Sequence, residues 1–199
     1  EKYLNEIKND KDNFSNYLNT INNQIKSIEH LVTEFSDFAR MPKPIIKNLN
    51  LNKTISRSVD LHKFSDKKIE FEFIEKQQYF VDYDEEQISR VFINLIKNSM
   101  ESIKEKVTKD ANFKGKISIE INEDSDYIYV VFKDNGIGFE QVDKKKMLTP
   151  YFTTKKKGTG LGLAVVTKII SDHNSLIEFS SIGNKAGAKV TITIPKKDV

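Results

Sequence analysis

A continuous apolar seam in the first forty residues, closed by two prolines, divides this chain into two parts. The seam residues recur every three or four positions, as on one side of an amphipathic helix, and they are Phe14, Leu18, Ile21, Ile25, Ile28, Val32, Phe35 and Ala39. The spacing predicts a helix over residues 12–40, with Asp12 or Asn13 as its N-cap. Pro42 and Pro44 predict its end, because proline cannot continue the helical hydrogen-bond ladder. Such a seam needs a partner, and the pattern leaves a coiled-coil spacer and half of a dimerising helix bundle equally open.

The composition excludes several classes of protein. Lys and Arg total 32 against 29 Asp and Glu, so the formal charge is only +3, and a protein whose main task is to neutralise nucleic-acid phosphates is not expected. The absence of Cys excludes disulfides and thiolate zinc sites and fits a reducing, intracellular setting. The expected location of this chain is cytoplasmic. No run approaches the roughly 20 apolar residues of a membrane span, so we expect no membrane insertion here. Because the sequence begins at Glu1 without Met, we expect a piece of a larger protein.

Beyond Pro44 the hydrophobic periodicity shortens and alternates between helix and strand. Helices are predicted over 54–64, 84–107 and 160–171, and strands over 69–73, 79–83, 116–122, 127–133, 176–180 and 189–194. The first two strands follow each other closely and are expected to pair. Amphipathic helices beside several strands predict an α/β (α+β) fold, a two-layer sandwich with helices on one face. The predicted domains are therefore 1–44 and 45–199.

The first candidate motif is a pair of amides in the helix predicted over residues 84–107. Asn94 and Asn98 are four positions apart and so share one helical face. An amide oxygen can ligate Mg²⁺ without adding negative charge beside a polyphosphate. The alternative is a solvated helix face in an Asn-rich sequence.

The second motif, Asp134-Asn135-Gly136-Ile137-Gly138, directly follows an apolar strand. A carboxylate at a strand end can accept a hydrogen bond from an exocyclic amine, and glycines permit close approach of the backbone to a flat ligand. A simple Asn-Gly turn is the alternative.

The third motif is the glycine-rich segment Gly158-Thr159-Gly160-Leu161-Gly162-Leu163 at the start of a predicted helix. A helix start with free backbone N–H groups attracts anions such as phosphate. The segment matches neither the Walker P-loop ending nor the strand context of the Rossmann fingerprint.

In this order the three motifs resemble the N, G1 and G2 boxes of the ATP-binding domain of sensor histidine kinases, the GHKL or Bergerat type shared with gyrase and MutL. The resemblance covers about residues 50–195. Residues 12–44 resemble the second helix of the kinase dimerisation bundle, and the segment 34–44 is similar to the NtrY-like nitrogen-regulation subgroup. Residues 1–9 would then be the end of the first bundle helix and its turn.

The resemblance implies roles for the matched residues. Asn98 would ligate Mg²⁺, with Asn94 assisting the ion or the phosphates, and these two are the expected catalytic residues. Asp134 would accept the adenine amine. The other implied nucleotide contacts lie between the two amides, in the turn after Asp134, in the lid and in the glycine segment: Lys97, Gly136, Gly138, Thr153, Thr154, Lys155, Gly158, Thr159, Gly160, Leu161, Gly162 and Leu163. For Lys97 and Lys155, solvated lysines are the alternative.

Two positions depart from the family pattern. Ala188 stands where relatives often have a Thr near adenine, so that one hydrogen bond of about 1 kcal/mol would be lost. Asn174 replaces the usual Gly, and Asn tolerates the left-handed conformation that the turn would need.

The resemblance implies transfer of the γ-phosphoryl group of Mg-ATP to a histidine in an upstream helix, and then to an aspartate of a response-regulator receiver domain. It also implies a homodimer formed through the N-terminal helix and a parent protein anchored in the bacterial inner membrane. Related ATPases carry Glu as the water-activating base at position 94, whereas Asn cannot accept a proton at neutral pH.

The phosphoacceptor is expected to lie outside this sequence. His30 lies off the seam with no proline downstream in its helix, and residues 5–9 resemble the acceptor box but carry Asn in place of its His. We therefore expect this chain not to phosphorylate itself. An ATPase, or a nucleotide-sensing or dimerisation module without catalysis, is the alternative.

Overall fold

The computed structural model describes residues 2–110, 112–139, 149, 151–153, 158–183 and 187–196, and describes the backbone alone at 2–12, 30 and 37. The chain separates into two compact units, Glu1–Pro42 and Lys43–Val199. The functional division at residue 44 stays a prediction.

The first unit consists of one helix, α1, which runs without a break from Lys2 to Ala39. The predicted start at Asp12 or Asn13 is wrong, and so is the turn within residues 1–9. The physical reason is that neither Gly nor Pro occurs between residues 2 and 39, so nothing interrupts the hydrogen-bond ladder. The predicted end is confirmed, since the helix stops three residues before Pro42.

The second unit alternates short strands with amphipathic helices, as the sequence predicts. Within the described residues its elements are β1 (Lys47–Asn50), α2 (Leu51–Lys63), β2 (Ile69–Ile74), β3 (Phe80–Tyr83), α3 (Glu85–Lys109), β4 (Gly115–Glu123), β5 (Tyr127–Asp134), α4 (Gly162–Asp172), β6 (Leu176–Ser181) and β7 (Ala188–Pro195).

Five of the strands form one mixed sheet in the order β2-β4-β5-β7-β6. The β2–β4 pair is parallel, with Ile69 opposite Gly115, and the other three pairs are antiparallel. The remaining strands, β1 and β3, pair antiparallel in a separate ribbon. The expected pairing of β2 with β3 is therefore wrong, because β3 pairs with β1, a strand that the sequence analysis did not predict.

Side chains on alternate positions of the sheet separate a buried face from a solvated one. In β4, Ile117, Ile119 and Ile121 are at most 1% exposed, while Ser118 and Glu120 between them are partly exposed. Fully buried side chains of α3 and α4, among them Ile96 and Ile169, complete the core. This arrangement confirms the predicted two-layer α/β fold.

Local signals fix where α3 begins and where α4 ends. The side chain of Asp84 accepts a hydrogen bond from the backbone N–H of Gln87 at 3.0 Å and caps the start of α3. After α4, Asn174 adopts a φ of +53°, which confirms that Asn can replace Gly in this left-handed turn.

Candidate nucleotide-binding site

The structure brings the three sequence motifs together around the middle of α3. Ser99 of α3 donates a hydrogen bond to Asp134, the last residue of β5, at 3.0 Å. Gly162 at the start of α4 lies against Asn94 of α3, since a Cβ atom built on it would be 3.3 Å from the Asn94 Oδ1. Helix α3 therefore forms the common wall for the strand-end turn and for the glycine segment.

Asp134 is a buried carboxylate that the fold surrounds with hydrogen-bond donors. Its side chain is 6% exposed. The Oδ1 atom accepts from the backbone N–H groups of Gly136 at 2.9 Å and Ala188 at 3.3 Å, and the Oδ2 atom accepts from the Ser99 hydroxyl at 3.0 Å. Burial raises the pKa of Asp134, and these three donors together with the ammonium of Lys106 counteract that rise.

The turn after Asp134 is packed so tightly that glycine is required at two positions. A Cβ on Gly136 would lie 2.2 Å from the Ser102 Oγ and 2.8 Å from the backbone carbonyl carbon of Ser102. Gly138 has a φ of +73°, and a Cβ there would lie 2.8 Å from the Gly187 carbonyl oxygen. Both glycines allow a close backbone approach that any side chain would prevent.

Asn135 anchors the same turn to the beginning of β4. Its Oδ1 accepts from the Lys116 backbone N–H at 2.8 Å, and its Nδ2 donates to the Lys114 carbonyl at 2.9 Å. The Asn-Gly pair is thus more than a generic turn, because the side chain of its Asn connects two strands.

The amide pair of α3 occupies one side of the helix, as predicted. Asn94 donates from its Nδ2 to the Arg90 carbonyl at 2.8 Å, which leaves its Oδ1 beside Gly162. Asn98 is half-buried one turn later, and Lys97 between them is exposed. The roles assigned to these three residues stay predictions.

The glycine segment leads into α4 through a tightly packed connection. Gly160 has a φ of +72°, and a Cβ there would lie 2.4 Å from the Tyr151 carbonyl carbon. The Gly160 carbonyl accepts from the Tyr151 backbone N–H at 3.1 Å. Leu161 precedes the first residue of α4 and is 1% exposed. Because a leucine side chain carries no acceptor, it cannot cap the N–H groups of the first helical turn.

The remaining predicted contacts are placed only in part. Leu163 and Thr159 are half-buried, while Gly158 and Thr153 are exposed. Thr154 and Lys155 lie outside the described residues.

The sequence analysis gave no role to four residues that surround Asp134 and its turn: Ser99, Ser102, Lys106 and Asn135. Ser102 accepts a hydrogen bond from the Ile137 backbone N–H at 3.0 Å. Only their positions in the sequence could have pointed to these residues: Ser99 and Ser102 follow the second amide on α3, and Asn135 directly follows Asp134. Polar residues on an amphipathic helix usually face solvent, so that signal is weak without a known partner.

Comparison with known proteins supports a single family. Residues 83–198 match the family described as histidine kinase-, DNA gyrase B- and HSP90-like ATPases. The chain is 32% identical over 193 residues to nitrogen regulation protein NtrY of Azorhizobium caulinodans, covering 97% of this chain and 25% of the relative. It is 33% identical over 186 residues to sporulation kinase A of Bacillus subtilis, covering 91% and 29%. The chain therefore spans between a quarter and a third of these curated relatives.

Solved structures give the same result. The histidine kinase ThkA, in complex with the response regulator protein TrrA, matches with a TM-score of 0.72 at 27% identity, covering 91% of this chain and 51% of that chain. The nucleotide-free catalytic domain of ThkA matches with a TM-score of 0.62 at 30% identity, covering 76% and 95%.

Across the described ranges, no helix combines the length and the apolarity that a membrane crossing requires. The sandwich fold, the buried carboxylate at the end of β5 and the match over residues 83–198 agree with one another. The chain belongs to the family of histidine kinase-, DNA gyrase B- and HSP90-like ATPases, where it groups with the sensor histidine kinases.

Proposed function

We propose that this chain is the ATP-binding catalytic portion of a two-component sensor histidine kinase. The parent protein would transfer the γ-phosphoryl group of Mg-ATP to a histidine in an upstream helix, and from there to an aspartate of a response regulator. The observation that carries the proposal is Asp134, a 6% exposed carboxylate held by three donors at the edge of a glycine turn.

The surroundings of Asp134 fit the exocyclic amine of adenine. An ionised carboxylate offers about four lone-pair sites, and protein donors take three of them at Asp134. The remaining site is suited to a donor from a ligand, and the adenine amine is such a donor. A buried carboxylate without a ligand donor is costly, which favours a function over a purely structural role.

The start of α4 fits the phosphates. Leu161 leaves the N–H groups of the first helical turn without a side-chain cap, and a helix N-terminus attracts anions. The amide oxygen of Asn94 lies beside this helix start, at Gly162. Gly158 and Gly160 would let the segment before α4 fold over the phosphates.

A magnesium ion would be held by Asn98, with Asn94 assisting, together with phosphate oxygens. In the described parts of the chain, no three acidic or histidine side chains cluster as a metal cage would require. This suits Mg²⁺, which typically binds through one or two protein ligands plus substrate phosphates. When bound, Mg-ATP supplies the phosphoryl group, and positioning and electrostatics account for most of the catalysis.

The chain's own residues favour phosphoryl transfer over hydrolysis. Asn94 stands where the related ATPases use a Glu to activate water, and an amide cannot accept a proton. The chain would therefore hydrolyse ATP slowly. The γ-phosphoryl group would stay on the nucleotide until a nitrogen of the acceptor histidine attacks it and ADP leaves.

The two histidines whose side chains the structure describes, His62 and His173, are both engaged within the fold. The Nδ1 of His62 lies 3.0 Å from the Ser58 carbonyl. His173 has its Nδ1 2.8 Å from the Ile169 carbonyl and accepts from the Asp84 backbone N–H at Nε2. The side chain of His30 lies outside the described residues. We therefore expect this chain to bind Mg-ATP without phosphorylating itself.

The proposed partners follow from the first unit and from the relatives. Large side chains along the α1 seam are exposed, among them Phe14 at 61% and Ile28 at 58%. They would pair with a second copy and its upstream helices. We place this chain in the cytoplasm, as part of a parent protein anchored in the inner membrane. The second partner would be a receiver domain that accepts the phosphoryl group.

An equilibrium titration tests the proposed function. Wild-type chain is titrated with ATP by calorimetry, with and without Mg²⁺, beside the variants Asp134→Asn and Asp60→Asn. Asn should keep the fold, since its oxygen can accept from Gly136 and Ala188 while its amide donates to Ser99. The second N–H of the introduced Asn amide would face the adenine amine, which is itself a donor, so the affinity for ATP should fall about a hundredfold.

Asp60, exposed on α2, is the matched control, and its variant should bind like wild type. Equal affinity of the Asp134 and Asp60 variants, or no Mg²⁺-dependent ATP binding, would favour a module without nucleotide function. Two incubations with labelled ATP complete the test. Steady release of phosphate that Asn94→Ala leaves unchanged would favour an ATPase. Stable phosphoryl label on His30 would overturn the expectation that the acceptor lies outside this chain.

A further inference from the structure

The ammonium of Lys106 binds the turn that follows Asp134. Lys106 lies on α3, two turns beyond Asn98, and is half-buried. Its Nζ donates to the Asn135 carbonyl at 2.8 Å and to the Gly136 carbonyl at 3.3 Å. The same ammonium lies 4.5 Å from the centre of the Phe113 ring, a distance typical of a cation–π contact. The lysine is therefore held in one place by two carbonyls and an aromatic face.

One peptide group connects this ammonium to the Asp134 carboxylate. The peptide between Asn135 and Gly136 has its C=O bound to Lys106 and its N–H bound to the Asp134 Oδ1, at 2.9 Å. A trans peptide is planar, with its C=O and N–H on opposite sides. Fixing the carbonyl therefore also fixes the direction in which the N–H meets the carboxylate.

The next peptide group is held in the same way. The peptide between Gly136 and Ile137 has its C=O bound to Lys106, and its N–H is bound to the Ser102 Oγ at 3.0 Å. Ser102 and Lys106 are four residues apart and so lie on one face of α3. Two consecutive peptides are thus held by one helix face, with Lys106 on both carbonyls.

We propose that Lys106 is a positioning residue of the nucleobase site, which orients the Asp134 carboxylate through the Asn135–Gly136 peptide so that it selects a purine with a 6-amine. This proposal rests on the proposed nucleotide-binding function. In this proposal Lys106 makes no contact with the nucleobase and acts on Asp134 by holding the turn. Because charge-assisted hydrogen bonds also polarise the groups that they bind, the ammonium strengthens the Gly136 N–H as a donor to Asp134.

The test compares two triphosphates that differ only in the 6-amine. ATP and purine riboside triphosphate, which lacks this amine, are titrated with Mg²⁺ into wild type, Lys106→Met, Lys106→Arg and Lys109→Met. Met keeps most of the aliphatic stem and removes the ammonium. Wild type should prefer ATP, and Lys106→Met should lose about tenfold of that preference, with a smaller effect on purine riboside triphosphate.

The other variants separate positioning from stability. Lys109 lies one turn further along α3 and pairs with Glu105 at 3.6 Å, so its Met variant removes the same charge and should keep the preference. Lys106→Arg retains a cation and should restore most of it. Phe113→Leu removes the aromatic ring that contacts the Lys106 ammonium. It should weaken the preference for ATP less than Lys106→Met does, and it provides a second measurement if the Met variant does not fold.

An unchanged preference in both Lys106→Met and Phe113→Leu, whatever their melting temperatures, would overturn the positioning role while leaving the proposed function intact. A wild type that binds neither triphosphate would overturn the proposed function and the inference with it. A wild type that binds both equally would overturn the inference alone, because it would still bind ATP.

Discussion

At the scale of single residues, Asp134 connects parts of the chain that are far apart in sequence. Its carboxylate accepts from Ser99 on α3, from Gly136 in the following turn and from Ala188 on β7. The Ala188 donor is a backbone N–H, so it is present whatever side chain that position carries. The sequence predicts Asp134 from its motif, but the choice of Ser99 and Ala188 as donors depends on how α3 and β7 pack beside β5.

Nucleotide-free Asp134→Asn should be more stable than wild type at neutral pH. Burial raises the pKa of Asp134 above its ordinary value of 3.8, so the folded state binds the proton more tightly than the unfolded chain does. The stability that this contributes is fully present below about pH 3.8 and is lost as the pH rises through the folded pKa. Asn carries no charge and avoids that loss.

Urea unfolding of both proteins as a function of pH measures the effect. The advantage of Asn should shrink as the pH is lowered towards 4. A variant that is less stable than wild type by the same amount at every pH would contradict the reasoning.

Gly136→Ala should destabilise the fold and impair ATP binding together. The added methyl would meet the Ser102 Oγ at 2.2 Å and backbone atoms of Ser102 and Ile103 below 3 Å, and overpacking of this kind costs about 1–3 kcal/mol. Gly183→Ala is the control, since nothing lies within 4 Å of its Cβ. It should cost about 1 kcal/mol through its positive φ and leave ATP affinity unchanged. Thermal unfolding and titration of both variants check this, and normal ATP affinity in Gly136→Ala would contradict it.

At the scale of elements, α3 determines the site because it contacts both the strand-end turn and the start of α4. The amphipathic pattern predicts this helix nearly to its bounds, since its caps and apolar face are local signals. The strand pairing is not local. β2 pairs in parallel with β4, and β3 pairs with the short β1, whose four residues Lys47-Asn48-Leu49-Asn50 show little apolar alternation.

Asp84→Ala should weaken the start of α3. The carboxylate accepts from the Gln87 N–H at 3.0 Å and from the Ile45 N–H at 2.7 Å, and loss of an N-cap costs about 0.5–2 kcal/mol. Burial alone would raise the pKa of Asp84, but the backbone donors outweigh it, so that the pKa lies below 3.8.

This carboxylate therefore stabilises the fold above about pH 3.8, and the contribution is lost as the pH falls through the folded pKa. Denaturant unfolding of Asp84→Ala should show a loss at pH 7 that becomes smaller in acid. Asp84→Asn, which keeps an acceptor for the Gln87 N–H, should recover part of the loss at pH 7. An Ala variant as stable as wild type at pH 7 would contradict the capping role.

At the scale of the whole molecule, the chain joins an ATPase-type domain to a helix that has an exposed apolar seam. Ile21 and Ile28 are 54% and 58% exposed, and contiguous apolar surface of this kind favours association. The pattern predicts the seam well, but it placed the helix start ten residues too late, because Asp12 is a good cap that the uninterrupted helix does not use.

Replacing seam residues should reduce self-association. Ile21→Glu with Ile28→Glu places two charges in the seam, whereas Asn16→Glu with Asn23→Glu places the same charges at the same spacing on the opposite face. Sedimentation velocity should show a concentration-dependent dimer for wild type and for the Asn pair, and a shift towards monomer for the Ile pair. Equal association of all three would contradict a seam-mediated dimer.

The most direct test of the account is a crystal structure of this chain with Mg²⁺ and a non-hydrolysable ATP analogue. The adenine amine should lie at hydrogen-bond distance from the Asp134 carboxylate, about 2.8–3.0 Å, with the phosphates at the start of α4 and Mg²⁺ on the Asn98 side chain. A nucleotide bound elsewhere, or an adenine whose amine makes no contact with Asp134, would contradict it.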